Sequence, residues 1–362
     1  MHYLSSRCAL WFMVLALPSF LTACGREPLY QSQSYVFGTL VDISIYGETD
    51  TRAQQLASHI QQQFQQMHDN LHAWKSGGEL TRLNVAFAAG QSTAVSPQTA
   101  EILHDAAKIS ERSQGLFNPA IGGLISLWGF QRDEFTPVNP DPKDVQKLVQ
   151  ANPRMADLVF DGATVHSQNP AVKLDLGGYA KGYALDLAAS YLRQEKVKGA
   201  LINIGGNIIA IGQHGDRPWH VGIQHPRHAG ALATLDLPDG WAIGTSGDYQ
   251  RYFELNGKRY CHIIDPRSGY PAQGVQAVTV LIPQQKNAGA LSDAVSKPLF
   301  ISGSTNWRGM AQALGLQYAM LIDQAGVIQM TAGMQQRIRL EKPSPSFDKL
   351  KTGLASPAGR GS

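Results

Sequence analysis

Residues 245–272, TSGDYQRYFELNGKRYCHIIDPRSGYPA, gather much of this chain's polar chemistry into one span. A Thr-Ser-Gly turn at 245–247 offers backbone N–H groups and a hydroxyl suited to an anionic group. His262 stands shortly before Asp265 at a strand-to-turn exit, and histidine is the side chain best fitted to move a proton near neutrality. A second span, LDLGGYAKGYALD at 174–186, reads as a strand ended by Asp175, a Gly-Gly turn and the start of a helix. Its glycine-rich helix entry suits phosphate. The Asp175 carboxylate suits a metal ion, or a ligand rich in hydroxyls or bearing an imide; the bland alternative is a helix cap.

A third span, SDAVSKPLFISG at 292–303, sets Asp293, Ser296 and Lys297 on one helix face at i, i+3 and i+4. A carboxylate buried on that small, apolar face needs a cation, and Lys297 can supply one. Pro298 lacks a backbone donor and frees the carbonyl of Ala294, so the helix kinks there or begins later. INIGGNI at 202–208 and WHVGIQHP at 219–226 read as a Gly-Gly hairpin and an ordinary strand.

The elements that position these residues follow from periodicity. Residues 34–46 alternate as a strand, and 51–73 carry Leu56, Ile60, Phe64, Met67 and Leu71 at helical steps. Ser96-Pro97 and Asp141-Pro142 each open a helix with a cap and a first-turn proline. Asp161-Gly162 and Asn256-Gly257 predict hairpins. A helix is expected over 178–196, strands at 199–204, 207–212 and 219–224, and mostly strand over 230–283. Helices at 286–301 and 304–314 and strands at 317–323 and 326–331 complete the series. Runs of strand separated by helices favour an α+β fold, with mixed or antiparallel sheets, over a doubly wound one.

Of 362 residues, 43% are hydrophobic and 16% charged, enough apolar material for a large core. A net charge of +3 without a basic, aromatic-laced stripe gives no sign of nucleic-acid binding. Arg7 and the apolar run from Cys8 to Phe20 read as an export signal too short to span a membrane. Leu21-Thr22-Ala23-Cys24 looks like a bacterial lipobox, which makes Cys24 the lipidated residue and the cell envelope, facing the periplasm, the expected location. Residues 1–23 are thus a signal peptide, 24–33 a lipidated linker, 34–340 the folded domain, and 341–362 a Pro- and Ser-rich tail. Cys261 is left as the lone cysteine of the domain and reads as a strand residue.

Together the motifs resemble the ApbE family of FAD:protein FMN transferases. Asp-Leu-Gly-Gly-Tyr-Ala-Lys-Gly-Tyr at 175–183, Asn-Ile-Gly-Gly at 203–206, Thr-Ser-Gly-Asp-Tyr at 245–249 and the histidine segment at 256–271 carry the likeness, in order and spacing. The resemblance implies an ApbE-like, T-fold-related architecture. It also implies a lipid-anchored enzyme that takes FAD, releases AMP and leaves FMN on a Thr or Ser of an exported flavoprotein, such as a redox-pump or electron-transfer subunit. Mg²⁺ is expected to bridge the pyrophosphate.

Carried over by motif, the flavin-binding positions are Phe37, Trp74, Asn118, Pro119, Ala120, Asp175, Lys181 and Ile264. His262 and Asp293 are the catalytic positions, and Gly178, Asp293 and Lys297 the metal positions. Pro298 stands where the family has a small residue, and three further residues depart from its pattern. Lys297 stands where the family has a metal-ligating Thr, and a Lys ammonium has no acceptor to offer. Asn118 and Asn207 each replace an Asp. Two other readings follow from these departures: a flavin-binding carrier or maturation factor, of the kind a nitrous oxide reductase requires, or a hydrolase splitting FAD to FMN and AMP.

Overall fold

The computed structural model describes residues 29–132, 134 and 136–341. The signal, Cys24 and the tail beyond 341 lie outside them.

Strands β1 (Leu29–Val36) and β2 (Thr39–Tyr46) form an antiparallel hairpin. The single strand expected over 34–46 is therefore two, broken at Phe37 and Gly38, whose φ angles of 58° and 70° make a tight primed turn. Strand β1 also begins inside the residues read as linker, because Leu29 to Gln33 pair with Tyr46 to Asp42. Helix α1 (Asp50–Leu71) buries the anticipated stripe, with Thr49 accepting from the Arg52 N–H. Helix α2 (Glu79–Ala88) was not anticipated; buried Glu79 accepts from Ser96 and Thr99, tying it to the start of the helix capped by Ser96.

After β3 (Thr93–Ala94) come that helix, α3 (Pro97–Arg112), and then α4 (Gly122–Leu127) and α5 (Pro142–Ala151). Strands β4 (Leu158–Asp161) and β5 (Thr164–Ser167) make the hairpin at Asp161-Gly162 and join β3 in a small sheet. Helix α6 (Ala180–Gln194), within the helix expected over 178–196, leads into β6 (Gly199–Ile204), β7 (Asn207–Gly212) and β8 (Trp219–Gln224), three strands at the bounds the sequence predicts. Strands β9 (Ala231–Leu237), β10 (Ala242–Gly247), β11 (Tyr252–Leu255), β12 (Lys258–Cys261) and β13 (Val275–Ile282) follow. Helix α7 (Ala288–Ala313), β14 (Tyr318–Asp323), β15 (Ile328–Met330), α8 (Ala332–Gln335) and β16 (Ile338–Leu340) close the described chain.

The principal sheet has eight strands in the order β1-β2-β6-β7-β10-β13-β14-β15, antiparallel throughout. Helices α6 and α7 cover one face; the three-stranded sheet β16-β9-β8 covers part of the other. Every residue of β13 is buried, as a strand with both faces covered requires. The break in α7 falls at Gly303 (φ 71°), the residue type that tolerates it, and not at Pro298. A third apolar cluster joins Ile121, Leu124, Trp128 and Phe130 to Phe253 and Ile264, packing α4 and α5 against the β11–β12 hairpin. The α+β reading with antiparallel sheets holds. Among the described residues no helix is long and apolar enough to cross a membrane.

Candidate active site

The Gly177-Gly178 turn enters α6 without a side-chain cap from its own Tyr179. Asp175 does not end a strand; the chain makes only an isolated bridge there, between Ile121 and Lys173. Nor does it cap the helix. One oxygen accepts the Gly177 N–H (2.8 Å) and the other accepts Trp74 Nε1–H (3.0 Å). Trp74 is held on its ring face by Lys173, whose Nζ lies 4.5 Å from the ring centroid.

The missing cap of α6 comes from α7. Asp293 is fully buried, and its Oδ2 accepts the Gly182 N–H (3.2 Å) in the first turn of α6. Lys297, one turn further along α7, donates from Nζ to the Asp293 carboxylate and to the Asp293 carbonyl (2.6 Å). Lys181 Nζ lies 3.9 Å from Asp293 Oδ2 and donates to the Gly177 carbonyl (3.1 Å). Burial alone would raise the Asp293 carboxyl, but the two ammoniums and the Gly182 N–H outweigh it and hold it at about 2. Burial pushes the Lys297 ammonium down to about 8 against the pull of Asp293.

His262 follows β12. Its backbone N–H (3.0 Å) and its Nδ1 (3.2 Å) both meet the Arg251 carbonyl. A carbonyl only accepts, so Nδ1 carries the hydrogen and Nε2 keeps its lone pair. Burial, with Arg251, Lys181 and Lys297 nearby, pushes the imidazole down to about 3, so it is neutral near pH 7. Asp265 is not its partner. That carboxylate grips Arg267 through both oxygens and belongs to the turn.

Phe37, Asn118, Pro119, Asp175, Gly178, Lys181, His262, Ile264 and Lys297 all line one cavity of about 450 Å³. Trp74 lines a smaller branch of about 120 Å³, which shares Phe37, Asp175 and Lys181 with it. Two predicted positions stand back from it. Ala120 is fully buried, its N–H donating to Asn118 Oδ1 (3.1 Å), and Asp293 lies behind Lys297. Asp293 therefore meets the cavity only through Lys297, which it holds.

Sequence reasoning missed Phe117, Phe130, Tyr249, Gln250 and Arg251 in the lining. Tyr249 ends the Thr-Ser-Gly-Asp-Tyr motif at 245–249, and Gln250 and Arg251 directly follow it, the one signal that pointed to them. That motif also differs from its expected form. Thr245, Ser246 and Gly247 belong to strand β10, and the buried Ser246 hydroxyl bonds Ser296 Oγ (2.7 Å), so it offers no turn for an anion.

The Asn118 amide donates to the Pro153 carbonyl (2.9 Å), a contact that a carboxylate would turn into repulsion. Asn207 is buried and accepts the Thr245 N–H (3.3 Å).

The expected Mg²⁺ does not fit these residues. Both oxygens of Asp293 are engaged, one by Lys297 and one by Gly182, and a methyl built on Gly178 would lie 3.3 Å from Lys297 Cε. The lysine stem thus fills the space between α7 and the Gly177-Gly178 turn. Among the described residues no three His, Cys, Asp or Glu side chains converge as a metal site. Three cations (Lys181, Arg251, Lys297) and one carboxylate (Asp175) line the cavity, so it favours an anion.

A family model for the ApbE family matches residues 37–322. An FAD:protein FMN transferase of Rhodobacter capsulatus is 42% identical over 84% of this chain; the match takes in 57% of that protein, so this chain spans little more than half of it. One from Vibrio cholerae is 30% identical over 86% of this chain and 92% of its own length. The ApbE protein structure from Thermotoga maritima superposes with a TM-score of 0.78 at 26% identity, covering 86% of this chain and 100% of that one. The apo flavinyl transferase ApbE of Pseudomonas stutzeri gives 0.74 at 26% identity, over 86% and 96%.

Proposed function

The chain belongs to the ApbE family, and on that premise we propose that it is an FAD:protein FMN transferase. The observation that carries this reading is the composition of the cavity. Phe37, Phe117, Phe130 and Ile264 supply apolar walls for a flavin ring, and Lys181, Arg251 and Lys297 supply positive charge for a doubly anionic pyrophosphate.

The acceptor Thr or Ser oxygen attacks the FMN phosphorus, the bond from that phosphorus to the bridging oxygen breaks, and AMP leaves with that oxygen. The acceptor hydroxyl gives up its proton. Neutral His262, with its Nε2 lone pair, accepts a hydrogen bond from that hydroxyl and orients it; held at about 3, the imidazole is too weak a base to keep the proton, which passes to the leaving phosphate or to water. Asp175, fixed by Gly177 and Trp74, presents its carboxylate beside the flavin end.

The acceptor is an exported flavoprotein. Lipid anchoring through Cys24 and a periplasm-facing place in the cell envelope belong to the same proposal, motivated by the Leu-Thr-Ala-Cys motif at 21–24.

Incubating the full-length protein with FAD and an acceptor polypeptide should yield a fluorescent, denaturation-resistant flavin adduct and an equal amount of AMP. Bound FAD with no adduct and no AMP would favour the carrier or maturation reading, for which Lys297 is the motivating residue. AMP with free FMN and no adduct would favour the hydrolase.

A further inference from the structure

We propose that the Lys297 ammonium is itself the cation of this site, so that the chain holds the pyrophosphate of its dinucleotide with a built-in charge in place of a divalent metal at Asp293. This rests on the transferase reading above for its substrate, though not for its geometry.

The argument begins with Asp293. Its carboxylate has no solvent exposure, and a charge buried so completely must be compensated within the protein. Lys297 does so from the same helix, donating to the Asp293 carboxylate and, at 2.6 Å, to the carbonyl of the same residue. A carboxylate and a carbonyl oxygen are the hard ligands that a small cation would otherwise recruit. Here the ammonium has them. Lys181 adds a second positive charge 3.9 Å from the other carboxylate oxygen. Two ammoniums against one carboxylate leave no net negative charge to draw a divalent ion.

The surrounding backbone is shaped to the lysine. Its stem runs against Gly178, where an added methyl would lie 3.3 Å from Cε, and Lys297 still lines the cavity with 15% of its side chain exposed. With two of its N–H donors turned to Asp293, the third is available to a phosphate oxygen in the cavity. Asp293 thus aims the ammonium, and Gly182 aims Asp293.

Three measurements on the full-length protein test this. Titration with Mn²⁺, followed by the electron paramagnetic resonance of the free ion, should show no stoichiometric site without FAD. Lys297→Thr, which frees the carboxylate and restores a hydroxyl, should gain one. FAD affinity, read from flavin fluorescence, should agree within about twofold between EDTA and Mg²⁺, and Lys297→Met should weaken it by about tenfold or more. Because Lys297→Met leaves the buried Asp293 only Lys181, 3.9 Å away, as a counter-charge, the Asp293→Asn/Lys297→Met pair serves as the folded control and should lose the same affinity.

AMP release in the presence of acceptor should persist in EDTA. One equivalent of Mn²⁺ bound tightly to the wild type would overturn the proposal. So would a loss of about tenfold or more in FAD affinity in EDTA, or unaltered affinity in the double variant. If FAD binds equally in EDTA and Mg²⁺ but no AMP forms under either condition, the transferase reading fails and the cation assignment stands.

Discussion

Asp186 and Asp293 cap each other's helices. Asp186, on α6, accepts the N–H groups of Gly289 (2.7 Å) and Ala290 (2.8 Å) in the first turn of α7; Asp293, on α7, accepts that of Gly182 in the first turn of α6. Neither helix has a side-chain cap of its own at that end. The exchange fixes the two helices in register, and the register is what brings Lys181 and Lys297 to one carboxylate.

Asp186→Ala leaves two buried N–H groups without an acceptor and should cost about 1–3 kcal/mol, read as a lower denaturant midpoint at unchanged slope. The pH dependence has a definite sign. Burial, against the pull of the two N–H groups, pushes the Asp186 carboxyl up to about 7. Its folded value lies above the unfolded one, so the stability it contributes is complete below the unfolded value of about 3.9 and is lost as pH rises through about 7. The stability advantage of wild type over Asp186→Asn should therefore shrink across that window; a constant difference would count against the linkage.

Gly182 and Gly289 meet where α6 crosses α7, and a Cβ on Gly182 would lie well inside van der Waals contact with the Gly289 carbonyl. Gly182→Ala should destabilise the protein by about 1–3 kcal/mol through overpacking. It should also weaken FAD binding, although Gly182 does not line the cavity, because the cap on Asp293 is displaced. Thermal melting and flavin fluorescence read the two effects separately.

Trp74→Phe keeps a ring in the smaller branch of the cavity but removes the 3.0 Å hydrogen bond to Asp175. FAD affinity should fall by roughly threefold to tenfold. Combining it with Asp175→Ala should give less than the product of the single losses, since both changes remove the Trp74–Asp175 bond.

His262, pushed down to about 3, is neutral throughout the usual histidine range, whereas Lys297 loses its charge near 8. The pH profile of kcat/KM for transfer should accordingly lack an acid limb in the usual histidine range near about 6.5. It should fall on the alkaline side as pH rises through about 8, because the charged form of Lys297 exists below that value. Lys297→Met should abolish the alkaline fall. A limb that survives the substitution assigns it to another group.

Much of the frame was legible in the residues themselves. The stripe from Leu56 to Leu71 and the strands at 199–204 and 207–212 appear where the patterns place them. Strand β1 was opaque because Tyr30-Gln31-Ser32-Gln33-Ser34 is polar, and its order comes from pairing with β2 rather than from its own apolar alternation. Helix α2 was hidden because it is short, starts after Gly77-Gly78 and buries a glutamate. Within the site, helical spacing placed Asp293 and Lys297 on one face. No local pattern could reveal that Asp293 reaches across to Gly182 or that Ser246 is buried against Ser296. Those pairings join residues brought together by the fold.

The turn at the mouth of the cavity carries one last implication. Phe37 is a bulky residue held at φ 58°, a conformation that suits Gly or Asn far better, and its ring lines the cavity. A variant with Asn or Gly there would relax the hairpin while removing an aromatic surface from the entrance. Backbone ease and an aromatic cavity wall pull this one position in opposite directions, and the benzyl group it carries serves the wall.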